Sequence, residues 1–326
     1  MAAQFFIRVR GGDLQGFADT KMMAVTIRGL IKKFGDQTVL PGLDLEIRTG
    51  ELFALLGPNG SGKTTLFRIL TTLVPPDGGV ACIGGHDVVR EAALVRARIG
   101  VVFQSPSLDK KLTARENLRY GGALYGLHGK PLNQRIAEVA AGLRLEEKLD
   151  ALVETLSGGQ QRRVEIAKCL LARPEILLLD EPSTGLDPAA RMDLWTLIGH
   201  LRSSQGMTVV FTSHLMEESA QADRVGILSG GELAGVDAPE NLLAAAGPEV
   251  LRVATGDVVG VIKYLHSKCG LAPQALEGEV RASAHGAQDI AARLAADLGS
   301  SISSITVGKP TLEDVFLFKT GKKLNE

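Results

Sequence analysis

The chain has little of what would make it secreted, disulfide-stapled or membrane-spanning. Only three of its 326 residues are cysteine, Cys82, Cys169 and Cys269. They lie far apart, with neither zinc-like nor redox-motif spacing, and fit thiols of a reducing compartment. No apolar run approaches the roughly 18 residues that a membrane-crossing helix needs. The opening MAAQFFIRVRGGDLQGF holds an apolar patch too short for a secretory leader, with its arginines on the wrong side. Work at a membrane would therefore require another chain to supply the span. An excess of either charge is missing too: 36 Lys+Arg stand against 37 Asp+Glu, a net charge of −1. That balance excludes a basic surface spread over the whole protein, and nucleic acid is not an expected partner.

What is present fits a large globular protein. Apolar residues make up 45% of the chain, ordinary for a soluble core. At roughly 150 residues per domain the length predicts about two domains. Residues 1–22 read as an N-terminal arm, and Met22 and Met23 each offer an alternative start. Ala24 to about Ile47 alternates in the manner of strands, with turn residues at Gly35-Asp36, and predicts an antiparallel β-layer. ELFALL, IGVVF, ILLLD and TVVFTS are short, nearly continuous apolar runs, as strands buried on both faces of a parallel sheet require. Helical patterns lie between them: Thr113 and Glu116 form a capping box, and Asp187-Pro188 opens a helix that stops near Gly206. Alternating strands and helices predict an α/β core. From about 105 to 172 an inserted helical subdomain is expected. After a linker at AAAGPE, near Gly247, the order β-α-β-β-α-β predicts a small ferredoxin-like α+β unit over 248–326. It closes on a short helix with Thr311 and Asp314 in capping-box positions.

Three motifs carry chemistry. Gly57-Pro58-Asn59-Gly60-Ser61-Gly62-Lys63-Thr64 matches the phosphate-loop pattern and lies between a strand and a helix. Its glycines let the backbone approach phosphates, successive N–H groups with the helix N-terminus form an anion cradle, Lys63 reaches the β- and γ-phosphates, and Thr64 offers its hydroxyl to Mg²⁺. ILLLD-E puts Asp180 at the carboxyl end of a buried strand, where it suits Mg²⁺, and Glu181 beside it suits a general base. Taken alone, such an acid pair also suits a helix N-cap. Leu156-Ser157-Gly158-Gly159-Gln160 opens another helix and suits a second anion site, although Ser-Gly-Gly is also a commonplace turn.

Together these motifs resemble the ATP-binding-cassette (ABC) ATPases. The phosphate loop, LSGGQ, ILLLDEP, the STGLD loop (Ser183–Asp187) and His214 occur in that family's order, across about Ala24 to Asn241. The resemblance implies a P-loop cassette over 23–241 that binds ATP with Mg²⁺ and hydrolyses ATP. It implies that Gln104 is the Q-loop glutamine and a metal contact, that Thr65 and Gln160 join the ATP-binding residues, and that His214 contacts the γ-phosphate. Phe34 stands where the family places an adenine-stacking aromatic, more commonly tyrosine. The resemblance further implies a head-to-tail homodimer, with Ser157 and Gly159 of one copy contacting the nucleotide of the other. A separate integral membrane permease would dock around Gln104, Ser107, Leu108, Lys110 and Lys111. Such a chain sits peripherally at the cytoplasmic face of the cell membrane.

The tail, closing on PTLEDVFLFKTG, resembles the daunorubicin-resistance and multidrug group of exporters. That implies export of a drug-like, lipid or other hydrophobic substrate, with a regulatory or dimerising role for the C-terminal unit. An importer ATPase and a soluble ABC ATPase acting on ribosomes or DNA are the alternatives. Leu312, Val315, Phe316 and Leu317 have helical spacing and read as packing residues.

Overall fold

The computed structural model describes residues 23–322, and the arm expected at 1–22 lies outside the described residues. In chain order the strands are β1 (Met23–Phe34), β2 (Gln37–Arg48), β3 (Leu52–Leu56), β4 (Gly78–Ile83), β5 (His86–Asp87), β6 (Ile99–Val102), β7 (Ile176–Asp180), β8 (Thr208–Ser213), β9 (Arg224–Ser229), β10 (Glu232–Asp237), β11 (Glu249–Thr255), β12 (Gln274–Leu276), β13 (Glu279–Ala284) and β14 (Ile302–Gly308). The helices are α1 (Lys63–Leu70), α2 (Ala92–Arg98), α3 (Ala114–Leu124), α4 (Gly129–Gly142), α5 (Gly158–Leu170), α6 (Pro188–Gln205), α7 (Met216–Ser219), α8 (Pro239–Ala245), α9 (Val258–Cys269), α10 (Ala287–Leu298) and α11 (Leu312–Thr320).

The central sheet runs β10-β9-β3-β8-β7-β6, parallel except for the antiparallel edge strand β10. Every residue of β3, β7 and β8 is buried, which is why these strands read as unbroken apolar runs. The period of two divides their side chains between two cores. Ile176, Leu178 and Val210 join Val25, Ile47, Leu66 and Phe67 under the antiparallel layer β2-β1-β4-β5. Leu177, Leu179, Val209 and Phe211 face the opposite side, against Leu118, Ile136, Val164 and Leu194 of the helices. There Trp195 and Phe211 pack with ring centroids 4.5 Å apart.

Helices α3, α4 and α5 pack together as the expected helical insertion, and Thr113 and Glu116 make the expected capping box. Asp187 caps α6 through Ala190 N, and Gly206 ends that helix at φ 64°. The strands β4, β5, β9 and β10 left little trace in the sequence. β5 has two residues, β4 and β10 are only partly buried, and three of the four contain glycine.

The C-terminal unit has strand order β12-β13-β11-β14 with every pair antiparallel, the ferredoxin-like arrangement. Its core joins Leu251, Val253 and Val280 to Val261, Leu265 and Leu294 of α9 and α10. Within the AAAGPE segment α8 continues through Ala245 and residues 246–248 make the connection to β11, turning at Gly247 with φ 101°. The closing helix α11 is the joint between the two parts. Leu312, Val315 and Phe316 are buried in the core between the central sheet and its helices. On the same helix Asp314 accepts hydrogen bonds from Arg252 of β11 and Arg281 of β13.

Candidate active site

The carboxyl ends of β3, β6, β7 and β8 lie at one end of the parallel sheet, where the phosphate loop, Gln104, Asp180, Glu181 and His214 meet. Gly57–Thr64 links β3 to α1. A Cβ on Gly57 would fall 2.4 Å from the Leu228 carbonyl oxygen and 2.7 Å from Ser61 Oγ, so only glycine fits. Gly62, at φ 103°, caps α1 in a conformation that other residues avoid. Lys63 is buried, and its Nζ donates to the carbonyl oxygens of Gly57 (2.6 Å) and Pro58 (2.8 Å), bridging the loop. Burial holds its ammonium below the ordinary lysine value, while the charges of Glu181 and Asp180 pull the other way. Ser61 Oγ is buried with no hydrogen-bond partner among the described residues, and Asn59, Gly60 and Thr64 are exposed at the rim with Thr65 beside them.

Asp180 ends β7, buried, its Oδ1 accepting from Thr212 Oγ1 of β8 at 2.6 Å. Burial raises its pKa above the usual carboxylate range and the charge of Glu181 adds to this. The Thr212 hydrogen bond, Lys63 and Arg68 act against it. Glu181 follows in a left-handed conformation, φ 45°. Such strain is costly for a side chain with a Cβ, and it concentrates at functional sites. The turn carries its carboxylate into a cluster. Oε2 accepts from Gln104 Nε2 and Thr184 Oγ1, each at 3.2 Å, and His214 Nδ1 lies 3.5 Å from Oε1. Asp180, Glu181, Gln104 and His214, spread over more than 100 positions in sequence, thus share one site beside Lys63.

Phe34 stands half exposed at the end of β1, with Lys32 Nζ 5.3 Å from its ring centroid. Next to it β2 passes behind the phosphate loop, where Leu40 Cδ2 would lie 3.0 Å from a Cβ on Gly62. Ser157–Gln160 are not brought to this cluster. Ser157 Oγ accepts from Gln160 N at 3.3 Å while Gln160 Oε1 accepts from Ser157 N at 3.0 Å, closing a capping box at the start of α5. Among the described residues no hydrogen bond or ion pair joins this turn to residues 57–64. Ser157 and Gly158 face outward.

Sequence reasoning passed over a buried pair on α5. Arg162 Nε donates to the Pro182 carbonyl oxygen (2.7 Å), and its Nη1 donates to the Phe103 oxygen (2.9 Å) and to Glu165 Oε2 (2.7 Å). Glu165 Oε1 accepts from Ser107 N at 2.7 Å. One ion pair thereby grips the backbone on either side of Gln104 and just past Glu181. The only sequence signal was an i,i+3 Arg–Glu spacing, which also suits a surface pair. Around Gln104, Ser107, Lys110 and Lys111 are exposed, and Leu108 packs on the core. Burial pushes the Cys169 thiol up to about 12, so it is an inert packing group.

Comparison with known proteins gives a consistent picture. The ABC transporter family model matches residues 40–184. The daunorubicin resistance ATP-binding protein DrrA3 of Streptomyces coeruleorubidus is 37% identical over 322 residues, covering 93% of this chain and 97% of that protein. The Nod factor export ATP-binding protein I of Sinorhizobium fredii is 37% identical over 325 residues, covering 93% of this chain and 88% of that protein. A solved ATP-binding cassette, dimeric and in a post-hydrolysis state with ADP and Pi, is 30% identical with a TM-score of 0.59, covering 66% of this chain and 98% of that one.

Proposed function

We propose a function from one premise: this chain belongs to the ABC transporter family, as an ATP-binding subunit that hydrolyses ATP. It is the motor of an exporter, driving a drug-like, lipid or other hydrophobic compound through a separate membrane-spanning subunit. Likeness to resistance and export proteins along nearly the whole chain, C-terminal unit included, supports export. No helix among the described residues is long and apolar enough to cross a membrane. On this reading the path across the bilayer belongs to the partner polypeptide, and this chain sits peripherally at its cytoplasmic face.

The observation that carries the chemistry is the meeting of Glu181 with Gln104 and His214 beside the phosphate loop. The loop N–H groups and the α1 N-terminus receive the phosphates of ATP, with Lys63 turning from the carbonyls it now holds to the β- and γ-phosphates. Phe34 stacks on the adenine. Oxygen donors of Thr64, Asp180 and Gln104 suit a hard cation, and Mg²⁺, when bound, supplies positive charge against the β- and γ-phosphate oxygens. Glu181 takes the proton of the attacking water, and His214 positions the γ-phosphate.

Ser157 and Gly159, turned away from their own phosphate loop, complete the site of a second copy. A head-to-tail pair then holds two equivalent sites. Closure depends on the γ-phosphate contacts, and hydrolysis removes that differential stabilisation and lets the copies part. The exposed surface at Ser107, Lys110 and Lys111, with Leu108 partly buried beneath it, is tied to Gln104 and Glu181 through Arg162 and Glu165 and passes this motion to the membrane subunit.

Export is tested in host cells lacking the chain and complemented with the parent or with Glu181→Gln. Accumulation of lipophilic drugs from a panel should rise in the deletion strain, fall with the parent and stay high with Glu181→Gln. Equal accumulation of every compound in all strains would contradict export.

A further inference from the structure

A buried carboxylate outside the motifs joins two loops of the site. Glu218, on α7, is 1% exposed. Its Oε1 accepts a hydrogen bond from Ser183 Oγ, the first residue of the STGLD loop. Its Oε2 accepts from Ser213 Oγ at 2.8 Å, the residue just before His214. Its cationic neighbour among the described residues is Arg191 of α6, whose Nε lies 3.6 Å from Oε1 and makes no hydrogen bond. Burying a carboxylate is costly unless its oxygens are well used. Here both oxygens are spent on hydroxyls from two different loops.

Each loop in turn leads to the catalytic cluster. Ser213 Oγ also accepts from Leu215 N at 2.9 Å, so the backbone is pinned on both sides of His214. On the other side Ser183 precedes Thr184, whose hydroxyl donates to Glu181 Oε2. The Ser183–Glu218–Ser213 bridge therefore fixes the separation of the two loops underneath. Above it the Glu181–His214 approach, 3.5 Å, depends on that separation.

We propose that Glu218 is a positioning residue for hydrolysis, locking the STGLD loop to the His214 loop so that a contact made by one is felt at the other. The proposal rests on the preceding reading of Glu181 as base and of His214 as the residue that positions the γ-phosphate. A carboxylate is required because it accepts at both oxygens. Glutamine has a single acceptor oxygen, so one of the two serines would have to turn its hydroxyl and accept from the amide N–H, which breaks the present pattern of two donations. Aspartate reaches too short a distance by one methylene.

The test compares Glu218→Gln, Ser183→Ala, Ser213→Ala and the Ser183→Ala/Ser213→Ala double variant, with the three serine variants made also in the Glu218→Gln background, in steady-state ATP hydrolysis by the purified full chain. Glu218→Gln should lower kcat roughly 10- to 100-fold, the scale of a misplacement of about 1 Å, with KM for ATP within about threefold of the parent. The two serine effects on kcat should be coupled in the parent and independent in the Glu218→Gln background. A packing role alone would lower the melting temperature and leave kcat per folded molecule and the coupling unchanged, and that outcome overturns the proposal. Glu181→Gln is measured in parallel. If it hydrolyses ATP at the parental rate, the base assignment fails. If it is inactive while Glu218→Gln turns over normally, the Glu218 bridge alone fails.

Discussion

Asp314→Ala should unseat the C-terminal unit, at a cost that the contacts allow to be worked out. The carboxylate is fully buried and accepts from five donors. Oδ1 takes Arg281 Nη1 at 3.0 Å and Arg252 Nε at 3.3 Å, and Oδ2 takes Arg252 Nη2 together with the N and Oγ1 of Thr311, each at 2.8 Å. Removing one partner of a buried ion pair costs about 3–5 kcal/mol, because the other charge is left behind. Arg281 retains Glu279 at 2.6 Å and Glu313 at 3.4 Å, and Arg252 is one-fifth exposed, so the lower end, about 3 kcal/mol, applies. Loss of the capping box of α11 adds about 1 kcal/mol. A loss of about 4 kcal/mol is then comparable with the whole stability of a small domain. Urea titration followed by far-ultraviolet dichroism reads both parts, whereas Trp195, the single tryptophan, reports the cassette core. The two signals should separate in the variant, with dichroism falling first. Asp314→Asn, which keeps an acceptor oxygen, should lose less. A loss below about 1 kcal/mol in Asp314→Ala would refute the view that this carboxylate anchors the joint.

Two further outcomes follow from the site. The pKa of Asp180 is raised by burial, so the stability it contributes is present below the ordinary aspartate value and is lost as pH rises through the raised one. Without nucleotide, Asp180→Asn should melt above the parent at pH 7.5, with the gap closing as pH falls toward 4, and a lower melting temperature at pH 7.5 would contradict this. Glu181→Gln should lower ATP turnover about 10²- to 10⁴-fold, the usual worth of a general base. Direct nucleotide titration should show ATP affinity little changed, since the loop contacts remain.

The parts of the molecule with strong periodicity were legible in the sequence. Buried strands such as Ile176–Asp180 announce themselves because both faces are apolar, and Thr113, Asp187 and Thr311 announce helix starts because few side chains can satisfy free N–H groups there. The phosphate loop was legible for a similar reason, since only glycine tolerates the approach of Leu228 and Ser61 to Gly57. What escaped was held by tertiary contacts. Arg162 and Glu218 look like surface charges in a polar stretch, and only the fold shows them buried against Phe103, Pro182, Ser183 and Ser213. The left-handed turn at Glu181 has no sequence signature, because glutamate does not favour it and neighbouring strands impose it. The linker is shorter than its AAAGPE segment because an alanine run continues a helix as readily as it joins domains, and α8 takes Ala244 and Ala245.

The clasping of ATP between two copies is tested most directly by a structure of the Glu181→Gln protein with Mg²⁺ and ATP. The account predicts a head-to-tail pair in which the partner's Ser157 faces Lys63 across the γ-phosphate. A nucleotide-loaded single copy, with its serine-glycine turn open to solvent and nothing opposite the lysine, would contradict it.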